Sequence, residues 1–589
     1  MTTSISSVSN SYSAQTYATI PAATKDVTTW TTTEVAAITT SDLVSLKPMT
    51  LAKMSTAQVN ALSTSVLANL TVPQVQALTV TQVGSLSTSN VAVLGATQVN
   101  ALNISQVRSL STAQVNAIST AALNSVKGAQ LALLTTQQVS TLATSTVAGL
   151  STSQIASLTT DQIVGLIGDQ LKAMGDKISG LTGFQVAAIE TADLGSLTTT
   201  QMEALTATQV KSLTTAQLQN LTTDKFSAIT ASDLAGLTSG QISALTTGEV
   251  KNMTTSQVAA LTKTQVQGLS TAQVNVLSSA QLQALTTAAV AALSSSQLTG
   301  LDTAQVSKLT TTQTQALSAA QVNSLSTAQV NALSTSQIQA LNDAQVKALN
   351  TAQVAGLSTS QVSKMTTAQI AVMELADVAA LTSTQANALT TDQVQALSVT
   401  QLKSVSTVTV AGLGTAQVKA LTTAQVAALS ADQVKAMTTT DVAALSTDQV
   451  KALNGSQINV LSTAVVQAMG TEQVKALSDN QVKSISTAAI AAMTTSQVGV
   501  LTTSQVKALS AVAAAALNTS AVAALTSSQV QQIAKEAIQA MSSDQIKALS
   551  TSAIAGVTTV QVMAMSSAKV AALTTAQIKQ LSTDQIKTL

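Results

Sequence analysis

The chain has no cysteine and no histidine among its 589 residues. Disulfides, thiolate nucleophiles and zinc–thiolate sites are therefore excluded. So are the commonest metal ligand and the commonest general base. Aromatics make up 1% of the chain and charged residues 9%. With 26 basic and 25 acidic side chains the net charge is +1, which leaves no broad basic surface to track phosphates. There are only three prolines and 22 glycines. Long apolar runs are missing too. The longest lies near Ala511 to Leu517, far short of the roughly 20 residues that cross a bilayer as a helix.

What is present is a repeat. Trp30, Ile38, Leu46, Met54, Leu62, Leu70, Leu78 and Leu86 are spaced by eight, and the spacing holds to Met174. One unit, Met174 to Leu181, is a residue short; the octad then resumes and runs to Leu589. From Trp30 onward this makes 18 octads, one heptad and 51 octads, and every anchor is Leu, Ile, Met, Val or Trp. With the anchor at position 0, the consensus is Leu, Ser/Thr, Thr/Ser, small or Asp, Gln, Val/Ile, variable, Ala. Leu325 to Leu333 is a clean example. Position 5 is apolar almost throughout, weakest at Thr314, Ala386 and Ala514.

The pattern predicts one short helix per octad. Position 5 and the next anchor lie three apart, which puts them on one helical face but on opposite faces of a strand. Ser/Thr at position 1 and Gln at position 4 have the spacing of a capping box. Pro48 and Pro73 fall in the first turn, where a missing N–H costs little. Asp432, Asp448, Asp544 and Asp584 sit early in their units, and Lys435, Lys451, Lys547 and Lys587 late, as the helix dipole favours. A single continuous helix fails, because its apolar stripe would drift about 80° per octad. Helices this short are unstable alone, so they must stack as a solenoid, with Ala at position 7 allowing close approach. The fold class expected is all-α, an extended solenoid of very short helices. The alternative is a β-solenoid with two octads per coil, favoured by the Thr and Val content. The number of octads per turn stays open.

Three places depart from the repeat. Residues 1–29 are rich in Ser, Thr and Ala and include Tyr12 and Tyr17; they read as a low-complexity tail or as a cap on the solenoid, which then covers 30–589. They carry neither a basic n-region nor an apolar h-region, so no Sec signal is expected. The phase slip at 174–181 falls in a glycine-rich stretch from Gly165 to Phe184 and reads as a bend, a binding notch or neutral drift. The last unit, Leu581 to Leu589, follows consensus with no polar cap after it. That predicts an end docked on another subunit, or a piece of a longer chain.

No catalytic, cofactor-binding or metal-ligating residue is identified, and no cofactor is expected. Glycine-rich phosphate loops, EF-hand spacing and nucleophile elbows are lacking. Glu190 with Asp193, and Lys535 with Glu536, are the densest charge groups and read as solvated pairs. Met253, Met365, Met437 and Met469 occupy anchor slots and read as core filler. The Ser/Thr hydroxyls and Gln amides form the one polar array, either a surface ladder for ice, glycan or mineral, or a set of helix caps. Lys347, Lys419, Lys435, Lys451, Lys475, Lys483, Lys507, Lys547, Lys579 and Lys587, all at position 6, could form a weak stripe for anionic polysaccharide, offset by interspersed Asp.

The motif Leu-Thr-x-x-Gln-Val-x-x-Leu is similar to the first helix of repeats in the transcription-activator-like effectors of plant pathogens. The second helix, the base-reading loop, the 34-residue period and the basic charge of that family are missing, so DNA binding is not carried over. Strings such as Leu421 to Met437 resemble the long repeats of bacterial adhesin-like, haem-utilisation surface proteins. That resemblance implies an exported surface or matrix protein; without histidine, haem ligation is not implied.

The expected function is thus a non-enzymatic structural protein: a bacterial cell-surface or extracellular fibre subunit, spacer or adhesin stalk, with end-to-end self-assembly as one form of it. The alternatives are a solenoid scaffold for a protein or glycan, or an ice-binding protein using Thr/Ser rows. Expected partners are other copies of the chain or cell-surface polysaccharide, with no nucleic acid and no transmembrane segment. The expected location is extracellular or cell-surface; a cytoplasmic one stays open.

Overall fold

A computed structural model describes residues 25–589; Tyr12, Tyr17 and most of the N-terminal tail or cap lie outside the described residues. The described residues form two compact units, one ending at Ala292 and the other Leu293–Leu589. Within each, the described residues build an α-solenoid by the same local rules. They hold 68 α-helices of four to six residues and three 3-10 helices, with no strand. The β-solenoid alternative is therefore overturned. A shared apolar face and a cap in every unit outweigh the strand propensity of Thr and Val.

The unit Leu325 to Leu333 shows how eight residues fold. The Ser326 hydroxyl accepts from the Gln329 amide at 3.2 Å, and Gln329 Oε1 accepts from the Ser326 amide at 2.9 Å. This reciprocal box starts helix Thr327–Ala332. The Val330 N–H donates to the Ser326 carbonyl at 3.0 Å, and the tighter Leu333 to Val330 bond, 3.2 Å, closes the turn. Leu333 (ψ 139°) and Ser334 (ψ 159°) are then both extended, so the chain turns before the next helix. The break thus falls at the anchor–Ser/Thr junction. Pro48 stands at the start of helix Pro48–Lys53, and Pro73 within the first turn of Val72–Ala77.

Each helix packs on the helix three units away, as Thr327–Ala332 does on Thr303–Lys308. Side chains bond across coils over 25 residues (Asn323 to Ala348) to 31 residues (Gln329 to Leu298). One coil therefore takes between three and four octads. Anchors and position 5 line a continuous core in each unit, and Met253, Met365, Met437 and Met469 are buried in it. Position 7 approaches the neighbouring coil closely. A Cβ on Gly356 would come within 2.2 Å of Thr327 Cγ2, so glycine makes the room at that contact.

The short unit is bridged by a 3-10 helix, Gly175–Gly180, with Ile178 buried in the core. Gly175 (φ +56°) is the one residue in the left-handed region among the described residues. Gly180 is needed for space: a Cβ there would lie 2.3 Å from Thr152 Cγ2. Position-4 glutamine bonds continue across the slip with the register moved by one. Gln185 Nε2 donates to the Leu158 carbonyl 27 residues back, where Gln162 reaches 28 back to Leu134.

Ala386, a weak position 5, leaves a small apolar void of about 10 Å³ among Leu381, Leu389, Val394, Leu402 and Leu413. Ala386→Val restores the consensus residue and fills it. We expect a stabilisation of up to about 1 kcal/mol, read from denaturant midpoints or local hydrogen exchange. Unchanged or lower stability would show that the void cannot take the added methyls.

Candidate functional site

The polar feature that repeats through the fold is the glutamine at position 4. It is buried: Gln329 is 3% exposed. Its Oε1 caps its own helix. Its Nε2 crosses to the coil below and donates to the carbonyls of Leu298, at 2.9 Å, and Leu301, at 2.8 Å. In the first unit of the chain Gln82 does the same, with Leu51 at 2.8 Å and Met54 at 2.6 Å, while its Oε1 holds the Thr79 amide at 2.7 Å. The acceptors lie at the ends of helices, where carbonyls lack intrahelical partners. One amide thus closes the start of one helix and the end of another four units earlier.

The capping role was legible in the spacing; the cross-coil bond was not. It depends on the number of octads per turn, which an eight-residue pattern does not encode. The polar array expected at the surface is accordingly corrected. Its Gln half is internal, while the Ser/Thr at position 1 cap helix N-termini and, with positions 2, 3 and 6, form the main exposed face. Hydroxyl pairs such as Thr310–Thr312, 2.9 Å, and Thr438–Thr440, 2.8 Å, lie on that face.

Substitutions at position 4 show what the slot demands. Thr409 Oγ1 donates to the Leu381 carbonyl at 2.8 Å, replacing the amide. Lys225 gives its ammonium to the Gly195 carbonyl, and Lys569 to that of Gln539. Glu249, Asp377 and Asp441 put buried carboxyls there. Asp441 Oδ2 still accepts from the Thr438 amide at 2.8 Å, so the cap survives. Asp377 is 4% exposed. Burial first, and the nearby Glu374 charge second, push its carboxyl up to about 6.

The charge groups singled out in the sequence are surface features. Lys451 meets Asp448 at 3.2 Å, Lys587 meets Asp584 at 3.9 Å, and Lys535 meets Glu536 at 3.9 Å, all exposed. The glycine-rich joint carries the most exposed aromatic side chain among the described residues, Phe184 at 85%, with Ile167 at 52%. Among the described residues no group of three or more acidic side chains is arranged to hold a metal. No described helix is long and apolar enough to cross a membrane.

The architecture defines an α-solenoid of one-turn helices joined by a glutamine ladder. The ALTTAQ repeat profile matches residues 35–72, 186–223, 226–263, 279–463 in overlapping copies, 480–511 and 558–589. That is more than half of the chain, and the chain belongs to the ALTTAQ repeat family. No curated protein matches it. Among solved structures it is similar to a chain in a homology model of the full-length AP-3 complex in an intermediate open conformation, at 13% identity over 92% of this chain and 84% of that one, with a TM-score of 0.12. A second is the structure of APUM23-GGAAUUGACGG, at 11% identity over 77% and 91%, with a TM-score of 0.14.

Two outcomes test the ladder. Gln329→Leu removes both halves of one bridge while keeping apolar bulk, and leaves the Leu298 and Leu301 carbonyls without that donor. We expect a local loss of about 1–3 kcal/mol, seen as faster amide exchange in 326–333 and 295–302 together. Ser326→Ala removes only the cap and should affect 326–333 alone. Asp377 gives a pH dependence of defined sign. Its carboxyl is raised in the fold, so its contribution is complete below its ordinary value and is lost as pH rises through about 6. Asp377→Asn should therefore raise the unfolding midpoint at pH 7.5 and leave it unchanged at pH 3, where both forms are neutral.

Proposed function

We propose that the chain is a non-enzymatic structural protein, an extracellular or cell-surface spacer, stalk or fibre subunit whose working property is its length. The observation that carries this reading is the ladder itself. Nearly every unit invests its one long polar side chain in joining coils, as Gln329 and Gln82 do, and turns short hydroxyls outward. Such an array gains stability by neighbour contact and can be extended by adding units. The adhesin-like resemblance supports placement at a cell surface, with other copies of the chain or anionic polysaccharide as partners. A scaffold that grips a protein is the second reading, favoured locally by exposed Phe184 at the glycine-rich joint.

Electron microscopy of the purified chain over a concentration series tests this. We expect rods, and filaments much longer than one chain at high concentration if copies join end to end. Deleting Ser326 to Leu333, one full octad, should leave helicity and melting nearly unchanged and shorten the rod; deleting only Ser326 to Gln329 should disrupt the surrounding coils. Shapeless particles, or equal damage from both deletions, would overturn the spacer reading.

A further inference from the structure

We propose that Glu249 forms a site for a hard cation, calcium or sodium, between two coils of the first unit. Glu249 occupies a glutamine slot and is 7% exposed. Its Oε2 does what a glutamine Oε1 does, accepting from the Thr246 amide at 2.6 Å and the Thr246 hydroxyl at 2.8 Å. Its Oε1 is buried and has no hydrogen-bond partner. One octad to either side, Gln241 Nε2 donates to Leu213 at 2.7 Å, and Gln257 Nε2 to Phe226 at 3.0 Å and Ile229 at 2.9 Å. The same register sets the Leu218 and Leu221 carbonyls opposite Glu249 Oε1. Where its neighbours offer an N–H₂, this slot offers a third oxygen.

Three buried oxygens without a hydrogen between them repel one another, and a positive species at their centre reverses the sign. The fold already admits such a species in equivalent slots, since the Lys225 and Lys569 ammonium groups sit on helix-end carbonyls. Neither Lys225 nor Lys251 serves here. Lys225 is engaged by Gly195, and Lys251 on the Glu249 helix is exposed. One carboxylate oxygen with two main-chain carbonyls supplies oxygen ligands of the kind a hard cation takes, about three of the six to eight that calcium binds at about 2.3–2.6 Å, with water completing the shell. The site differs from an acidic cluster in drawing most of its oxygens from the main chain.

The test is amide exchange by mass spectrometry on the full chain, wild type and Glu249→Gln, at one ionic strength in choline chloride, sodium chloride, or choline chloride with millimolar calcium chloride. Glu249→Gln installs the consensus residue, so it keeps the fold. In the wild type, exchange over 218–222 and 246–253 should slow by at least about threefold in sodium or calcium relative to choline, and the effective salt names the ion. Glu249→Gln should be protected in choline alone and indifferent to the cation. Equal wild-type exchange in all three salts, or the same slowing in Glu249→Gln, would overturn the site. Protection gained only by acidifying a choline solution would overturn it too, assigning the slot to a proton.

Discussion

One side-chain amide sets the terms for this fold. A glutamine has an acceptor and a two-hydrogen donor on the same planar group, and each coil needs both. The acceptor closes the frayed start of its own helix; the donor closes the frayed end of a helix four units earlier. A helix of four to six residues has almost no interior, so nearly all its main-chain groups are terminal. Without a partner for those groups, one-turn helices would not persist in water. The core then needs only a Leu and a Val or Ile from each octad.

This division explains how polar atoms sit inside the solenoid without strain. The glutamines are buried yet fully bonded, which is the condition under which buried polar groups stabilise a unique packing. It also explains which residues replace them. Thr409 and Lys225 bring a donor, and the coil is joined. Carboxyls lose the donor: Asp441 and Glu249 keep the cap, the helix that carries Asp377 has no side-chain cap, and Asp377 and Glu249 are the chemically distinctive points of an otherwise uniform array.

Much of this was legible in the sequence. The apolar spacing, the Ser/Thr–Gln box and the two early prolines led to short helices broken at each anchor, and the Met anchors to core. What stayed hidden was every relation between coils. Gln329 and Leu298 are 31 residues apart, and nothing in a repeat of eight marks that distance. The spacing shows the glutamines as helix caps, with a surface ladder as the other reading; that the turn number places them inside is not encoded in it. The heptad at 174–181 was visible as a slip, but not its solution: a 3-10 helix whose first residue adopts a conformation open to glycine.

The ladder is asymmetric in its chemistry. Donors are side chains, whereas most acceptors are main-chain carbonyls, which every residue type supplies. A mutation can delete a donor but cannot delete the acceptor it serves. Any octad can therefore follow any other without matched changes on both partners. A gene built from such modules can gain or lose copies by unequal recombination, and each product still encodes a joined coil. Length, in such a lineage, is free to vary faster than sequence.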